Sequence, residues 1–360
     1  MNNDWDSVKK RYAAFWAADM YDRPLLLVTA PKDGAVPAPP WRDGRATEEE
    51  KWTNIDFAIW STEQGVPRTW YGPDTLPALH SYKSYIGMSA GGAMLYGAAA
   101  EYAEDTVWVS PLPTAERYPV YTVDPKRRQH VVDCFRDAGL SSRGRYYIRE
   151  SFANHAGDTL AALRGTENFL IDLVENPAWV RETLYRISRD FTSLLHDVWP
   201  LVAPEIIGRE GWLSTAGIWS EKINFCSDCD VSCMVSPKHF EEIFLPPLRE
   251  AMRDIPHHIY HLDGTGAIHH LDALLASPEV HAIQWIPGAG REAILQWVPL
   301  LRRIQTAGRS IQVIIRPEEV DPLLDEISPK GLLMVTSCTT EGEGRALAQR
   351  LDDRFSRRRD

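Results

Sequence analysis

The segment that decides the fold prediction is 258–276, which reads HIYHLDGTGAIHHLDALLA. A short apolar run comes first, a glycine-rich turn follows it, and a helical pattern completes the unit. The same order of strand and helix recurs on both sides of this segment. The predicted strand and helix pairs are 224–235 with 237–253, 258–262 with 267–276, 281–286 with 292–306, 311–315 with 320–327, and 332–336 with 341–355.

Five consecutive strand–helix units predict an α/β fold with parallel strands that are covered on both faces. The closed barrel and the open doubly wound sheet both repeat in this way. No Gly-x-Gly-x-x-Gly turn follows a strand, so nothing indicates a dinucleotide site. We therefore expect a (β/α)8 TIM barrel that spans 1–360 as a single domain. Residues 1–60 are expected to form an N-terminal helix and loop extension, with a candidate first strand at 25–30.

Composition excludes some classes of function. The chain has 360 residues and a formal net charge of -11, whereas a nucleic-acid surface needs a basic stripe. No apolar run approaches the roughly 20 residues that cross a bilayer. Five cysteines in a chain of this size favour reduced thiols and a cytoplasmic location. We expect a small-molecule substrate and no nucleic-acid or membrane partner, and a homodimer stays open.

Polar residues follow the predicted strands at the end where barrel enzymes place their catalytic groups. His261 and Asp263 are two positions apart on one strand, so their side chains point to the same side. With Cys338 after the last strand, and Cys229 as a further ligand, they could form an open tetrahedral zinc site. The alternative is a His–Asp hydrogen bond for acid–base chemistry, with Cys338 as a small buried apolar residue.

The remaining candidates are less tightly defined by spacing. Asp230, Glu210 and Arg316 are candidate catalytic residues, and 226–233, CSDCDVSC, could also be a metal knuckle, although no fourth cysteine is nearby. Thirteen tryptophans are present, and they either anchor loops over the core or form the wall of a ligand pocket. The candidate substrate-binding residues are Trp70, Tyr71, Trp212, Trp219, Gln284 and Trp285.

Two segments resemble a known family. Residues 234–248, MVSPKHFEEIFLPPL, resemble the S-P-x-x-F-x-x-x-x-x-P helix start of the uroporphyrinogen decarboxylase superfamily. Residues 259–264, IYHLDG, are similar to the H-x-D/C-G strand that follows it. The resemblance covers about residues 145–350 and implies a (β/α)8 barrel. It also implies either cofactor-free decarboxylation of a porphyrinogen or zinc-dependent methyl transfer to a thiol, often from a corrinoid protein.

The N-terminal segment separates these two branches. The decarboxylases carry an R-Q-A-G-R motif, whereas residues 22–31, DRPLLLVTAP, contain one arginine and no such motif. The methyltransferases, and the similar cobalamin-independent methionine synthase, bind zinc through His-x-Cys and a distant cysteine. The resemblance places His261 and Cys338 on the first and last of these positions, with Asp263 in place of the middle cysteine. Gln284 lies near a further glutamate ligand of methionine synthase.

Three functions follow from these observations. The first is a zinc-dependent methyltransferase or demethylase that activates a thiol acceptor, with a corrinoid protein or another methylated donor as co-substrate. The second is a metal-free decarboxylase of a small or cyclic carboxylic acid. The third is a binding barrel without catalysis, because fold alone does not imply an activity.

Overall fold

The computed structural model describes residues 4–42, 44, 46–79, 89–104, 106–149 and 156–357. Within them the strands are β1 (Leu25–Pro31), β2 (Thr69–Tyr71), β3 (Ala78–Leu79), β4 (Ala100–Tyr102), β5 (Val107–Val109), β6 (Tyr147–Ile148), β7 (Trp212–Leu213), β8 (Trp219–Ser220), β9 (Asn224–Asp228), β10 (His257–Asp263), β11 (Ala282–Ile286), β12 (Ser310–Ile314) and β13 (Leu332–Ser337).

The α-helices in the same part of the chain are α1 (Trp5–Trp16), α2 (Glu48–Thr53), α3 (Ile55–Gly65), α4 (Pro125–Ser142), α5 (Ala156–Arg164), α6 (Thr166–Glu175), α7 (Pro177–Val198), α8 (Pro204–Ile207), α9 (Pro237–His239), α10 (Leu245–Met252), α11 (Leu271–Ala276), α12 (Val298–Thr306), α13 (Val320–Glu326) and α14 (Glu341–Ser356). A π-helical segment, Phe240–Phe244, joins α9 to α10. None of the described helices is both long enough and apolar enough to cross a membrane.

A seven-stranded sheet organises the molecule, in the order β2-β1-β13-β12-β11-β10-β9. Every pair is parallel except β1 with β2, which is antiparallel. The five predicted strand–helix units of the C-terminal half are confirmed, and they supply β9 to β13 with their helices. The fold is therefore α/β with a mostly parallel sheet.

The candidate first strand predicted at 25–30 is confirmed as β1. β1 lies between β2 and β13, with Leu25 opposite Leu333 and Thr29 opposite Ser337. Residues 1–60 therefore contribute an inner strand of the sheet and are not only an extension outside it. In the described residues the sheet has two edge strands, β2 and β9, and the parallel pair β3–β6 is separate from it.

Strand alternation assigns each side chain to one of two faces. The register places His261 opposite Gln284, and Gln284 opposite Gln312, so these three polar side chains share the inner face of the sheet. Trp285, one residue after Gln284, points to the outer face, where it has no exposed surface and packs on Trp297 at 5.0 Å between ring centroids. The inner face is thus polar at mid-strand, while the outer face is covered by helices.

A buried carboxylate connects α1 and β1 to the turn after β2. Asp74 is fully buried, and it accepts hydrogen bonds from Arg11 Nη1 at 3.0 Å and from the backbone N–H of Leu26 at 3.0 Å. The Arg23 guanidinium donates to it as well. Each guanidinium is mostly shielded from water and has a second carboxylate partner, Asp22 for Arg11 and Asp352 for Arg23, so Asp74 is the carboxylate that the two arginines share.

Removal of this carboxylate should therefore destabilise the fold. Asp74→Ala leaves the backbone N–H of Leu26 without its acceptor and removes the shared partner of two guanidiniums, and we expect the free energy of unfolding in urea to fall by about 1–3 kcal/mol. Asp19→Ala is the matched control, because Asp19 forms an exposed 2.8 Å pair with Lys330, and it should lower the free energy of unfolding far less. Equal losses for the two variants would contradict this role for Asp74.

A buried histidine makes stability depend on pH. His258, near the start of β10, has no exposed surface, and its Nε2 lies 2.7 Å from Ser227 Oγ. Burial lowers the pKa of His258 to about 3, and the neighbouring His281 lowers it further. The folded state therefore favours the neutral ring, so its contribution is complete above the unfolded pKa of about 6.5 and is lost as the pH falls towards 3.

From this shift we expect His258 to contribute about 2 kcal/mol to the fall in unfolding free energy between pH 7 and pH 5. Urea denaturation at the two pH values measures the fall. His258→Gln should make the fall smaller by that amount, whereas His196→Gln, at an exposed position, should leave it unchanged. An unchanged fall in His258→Gln would show that the histidine does not titrate in this way.

Candidate functional site

Three side chains of metal-ligating type converge where β9 and β10 end. Asp230 begins the 3-10 turn after β9, and His261 and Asp263 lie on β10. One ligand atom from each residue lies within 4.8 Å of the others, and all three side chains are half-buried. The prediction that His261 and Asp263 lie on the same side of their strand is consistent with this geometry. We refer to the three residues as the Asp–His–Asp cluster.

A second carboxylate holds the turn that carries Asp230. Asp158, buried on α5, accepts hydrogen bonds from the backbone N–H groups of Asp230 at 3.0 Å and Val231 at 2.7 Å. Because these N–H groups follow the end of β9, the carboxylate replaces the strand partners that they would otherwise lack. The position of Asp230 therefore depends on α5 as well as on the sheet.

A chain of amides fixes the orientation of the His261 ring. Gln312 Nε2 donates to the backbone oxygen of Ala216 at 2.7 Å, and Gln284 Nε2 donates to Gln312 Oε1 at 2.7 Å. Gln284 Oε1 then faces His261 Nδ1. We refer to this series as the amide chain.

The backbone oxygen of Ala216, at the end of the amide chain farthest from His261, determines the direction of every hydrogen bond in the chain. A carbonyl oxygen can only accept, so Gln312 must present its NH2 group to Ala216 and its oxygen to Gln284. Gln284 in turn presents its oxygen to the histidine, and His261 Nδ1 must carry a proton. The neutral ring therefore leaves the lone pair on Nε2, the tautomer that a metal ligand or a proton acceptor needs.

A partly open cavity of about 380 Å³ adjoins the amide chain. Gln284 and Gln312 line it, together with Tyr71 and Arg149. Burial raises the pKa of Tyr71, so its hydroxyl stays protonated near neutral pH. Of the six residues predicted to bind substrate, Tyr71 and Gln284 line this cavity.

Neither predicted cysteine ligand belongs to the cluster. A Cβ built on Gly157 of α5 would lie 2.5 Å from Cys229 Sγ, so this thiol packs against α5. Burial raises the pKa of the Cys229 thiol well above its usual range, and the carboxylates of Asp158, Asp228 and Asp230 add to the effect. A thiolate, the form that binds zinc, is strongly disfavoured there.

Cys338 lies on the outer face of the sheet. Ser337 is paired with Thr29 on the inner face, so the next residue points the other way. Burial raises the pKa of the Cys338 thiol, and Glu343 on α14 raises it further. The thiol therefore faces the helix layer and lies across the sheet from His261.

Three further residues of the sequence prediction lie at the amino-terminal end of the strands, opposite the cluster: Glu210, Trp212 and Trp219. Glu210 accepts hydrogen bonds from Trp5 Nε1 at 3.1 Å and Lys9 Nζ at 3.0 Å, and it lines a groove with His257, the first residue of β10. A strand of seven residues is about 20 Å long, so this groove is remote from Asp263. Trp219 donates to the Glu210 backbone oxygen, and Trp212 accepts from the first residue of β9. Loop residues next to a strand can belong to either end, and sequence alone does not say which.

Arg316 and Trp70 are occupied by local contacts. Arg316 follows β12 at the expected end, but its guanidinium binds Glu319 of its own turn at 3.2 and 3.3 Å. Trp70 is on the outer face, where a Cβ on Gly344 of α14 would lie 2.5 Å from its ring. With Trp285, which is also on the outer face, these residues lie outside the cavity wall.

The sequence prediction missed three residues of the site, and the sequence contained a signal for two of them. Gln312 stands alone as a polar residue in the apolar run 311–315, IQVII, and Arg149 similarly follows the apolar run 146–148, YYI. A lone polar residue in a buried strand needs a partner, which marks it as a candidate. Asp158 gave no such signal, because its partners are backbone groups 72 and 73 residues away.

Comparisons with known proteins are informative for solved structures. No protein-family model matches the sequence, and no curated protein matches it. Among solved structures, a methyltransferase from Methanosarcina mazei is similar over 97% of this chain and 99% of its own, with a TM-score of 0.59 and 10% sequence identity. At that identity the match shows that the two proteins share a fold.

The amide chain predicts a measurable tautomer. In metal-free protein with ¹⁵N-labelled histidine, we expect neutral His261 to carry its proton on Nδ1. Gln284→Leu removes the acceptor, so the proton should shift towards Nε2 in long-range ¹H–¹⁵N spectra. Gln349→Leu, at an exposed glutamine of α14, is the matched control and should leave the His261 signals unchanged. A wild-type ring with its proton on Nε2 would contradict the amide chain as described.

Proposed function

We propose that this protein is a metal-dependent methyltransferase or demethylase of the uroporphyrinogen decarboxylase superfamily, with a (β/α)8 barrel completed by β3 and β6. The observation that carries the proposal is the Asp–His–Asp cluster at the carboxyl ends of parallel strands, where barrel enzymes hold their active sites. The fold shared with a methyltransferase supports the same class of reaction.

The residues of the cluster fit a divalent cation. Two carboxylates and one imidazole resemble the three-ligand sets of catalytic zinc sites, which keep a fourth position for water or substrate. The amide chain leaves the His261 Nε2 lone pair available as a donor. These nitrogen and oxygen ligands take the place of the sulfur donors Cys338 and Cys229 that the sequence predicted. Carboxylates are harder ligands, in the chemical sense, than the thiolates that the family resemblance implies.

Zinc in this cluster would lower the pKa of a bound thiol, so that a thiolate is available near neutral pH. Asp230 and Asp263 would supply the negative charge that retains the cation, and Gln284 would keep His261 oriented. The acceptor thiol would lose its proton to solvent. Its sulfur would then bond to the methyl carbon as the bond from that carbon to the donor breaks, and the electron pair of that bond would stay with the donor. A methylated corrinoid protein is the proposed donor, and the small thiol enters the cavity next to Gln284.

A metal-free decarboxylase is the second candidate. It is favoured by the positions of Cys229 and Cys338 away from the cluster. In that case Asp230 or Asp263 would stabilise a protonated intermediate. The two candidates differ in their response to chelators, which abolish the first activity and leave the second intact.

Metal analysis tests the first candidate. Protein purified without added metal should contain about one zinc ion per chain. His261→Ala and Asp263→Ala should lose nearly all of it, and Gln284→Leu should weaken zinc affinity by about 10–100-fold. Asp272→Ala, at an exposed carboxylate paired with Arg303, is the matched control and should keep its zinc.

An activity assay with free methylcobalamin and a small thiol completes this test. The zinc-loaded protein should demethylate the corrinoid, which is followed by its change in visible absorbance, and His261→Ala should abolish the turnover. Zinc content that does not respond to either ligand variant would remove the metal-dependent proposal. Turnover that survives complete chelation would favour the decarboxylase.

A further inference from the structure

The cavity next to the amide chain continues into a second cavity. We refer to the cavity that Gln284 lines as the first chamber, and to a partly open space of about 330 Å³ against α3 as the second chamber. Thr69, Tyr71 and Ala78 line both chambers. A molecule whose one end lies beside Gln284 therefore has a further space into which its other end can extend.

Short side chains on α3 leave the second chamber unfilled. Ala58, Ser61 and Gly65 are three and four residues apart, so they lie on one face of the helix, and all three line this chamber. A Cβ built on Gly65 would have no atom within 4 Å. The space is therefore a consequence of the α3 sequence, and a larger residue at Gly65 can reduce it.

The threonine hydroxyls of the second chamber are directed at the backbone. Thr62 Oγ1 donates to the backbone oxygen of Ala58 at 2.8 Å, and Thr69 Oγ1 donates to that of Gly65 at 3.0 Å. A hydroxyl group has one proton, so neither threonine has a donor left for a ligand. At these two positions the wall therefore cannot compensate a negative charge.

The charge in the described wall of the second chamber has its own partner. Among the described residues that line this chamber Lys51 is the charged one, and its ammonium is paired with Glu48 of the same helix. Phe57 and Val66 add apolar surface. An apolar group gains free energy from burial there, whereas a charged group would lose hydration without gaining a free counter-charge. The second chamber therefore favours an uncharged, apolar ligand group.

We propose that the acceptor thiol carries an uncharged apolar body, an alkyl or aryl group, which the second chamber binds while the sulfur end lies in the first chamber beside Gln284. Both chambers have the volume of small-molecule sites. This assignment rests on the proposed methyltransferase function for the role of the thiol, and it names the substrate class as hydrophobic thiols. Thiols with a charged group at the other end are poor substrates in this account.

The test uses 3-phenylpropane-1-thiol as probe, with propane-1-thiol as its short counterpart and 6-mercaptohexanoate as its charged counterpart. Calorimetric titration of chelator-treated protein under reducing conditions measures binding without a metal. The probe should bind at least about tenfold more tightly than either counterpart, because it alone fills the second chamber with apolar surface. Equal affinity for the short thiol would show that the chamber holds no part of the ligand, and equal affinity for the charged thiol would refute the preference for an uncharged body.

A variant of α3 tests the position of the apolar body. Gly65 has a helical backbone, with φ of −73° and ψ of −46°, so Gly65→Leu adds a side chain to the chamber wall without backbone strain. It should weaken the probe at least about tenfold and leave propane-1-thiol unchanged. Gly342→Leu, at an exposed glycine of α14, is the matched control and should affect neither thiol. Wild-type affinity of Gly65→Leu for the probe, or an equal loss for both thiols, would place the apolar body elsewhere.

Turnover separates this inference from the proposed function. In zinc-loaded protein with methylcobalamin, the KM for the probe should be at least about tenfold lower than the KM for propane-1-thiol, and Gly65→Leu should remove this difference with little change in kcat. Tight binding of the probe without any turnover would support the second chamber as a site for an apolar body and contradict the methyltransferase. Turnover with equal KM values would contradict the chamber assignment and leave the proposed function in place.

Discussion

The hydrogen bond from Gln312 to the backbone oxygen of Ala216 sets the chemistry of the candidate site. A backbone oxygen has no alternative role, so every donor and acceptor from Gln312 to His261 follows from it. The parallel register of β10, β11 and β12 brings the three side chains into line. The site is therefore specified by strand register, and a shift of one residue in any of these strands would move its side chain to the opposite face.

The parts of the fold that depend on local patterns could be predicted from the sequence. The strand–helix units of the C-terminal half show clear hydrophobic runs, turns and helical periods within 25–30 residues. The two-residue spacing of His261 and Asp263 is also local, and it places both side chains in the cluster. Asp230 was expected near them, as a catalytic group and not as a metal ligand.

The parts that depend on distant pairing could not be predicted. The inner position of β1 follows from pairs such as Leu25 with Leu333, which are about 300 residues apart in the chain. Cys338 follows Ser337 of the inner face, so strand alternation turns its side chain to the outer face and away from the cluster. Cys229 packs against α5, a contact between distant segments that the spacing of residues in the sequence does not reveal. Glu210, a candidate catalytic residue in the sequence prediction, lies at the other end of the strands from the cluster, where its partners Trp5 and Lys9 come from the N-terminal helix.

The two ends of the sheet carry different arrangements of ionisable side chains. At the N-terminal end, Glu210 and Lys9 form an exposed ion pair that contributes little to stability. At the other end, two carboxylates and an imidazole meet beside a partly open cavity. Side chains that could hold a cation are therefore gathered at the carboxyl ends of the strands.

X-ray absorption of the zinc-loaded protein tests the central claim most directly, because it reports the ligand atoms themselves. Coordination by Asp230, His261 and Asp263 predicts nitrogen and oxygen neighbours at about 2.0–2.2 Å, with the outer-shell scattering of one imidazole and no sulfur. A sulfur neighbour at about 2.3 Å in protein without added thiol would show that a cysteine holds the metal, and it would contradict the Asp–His–Asp cluster as the metal site.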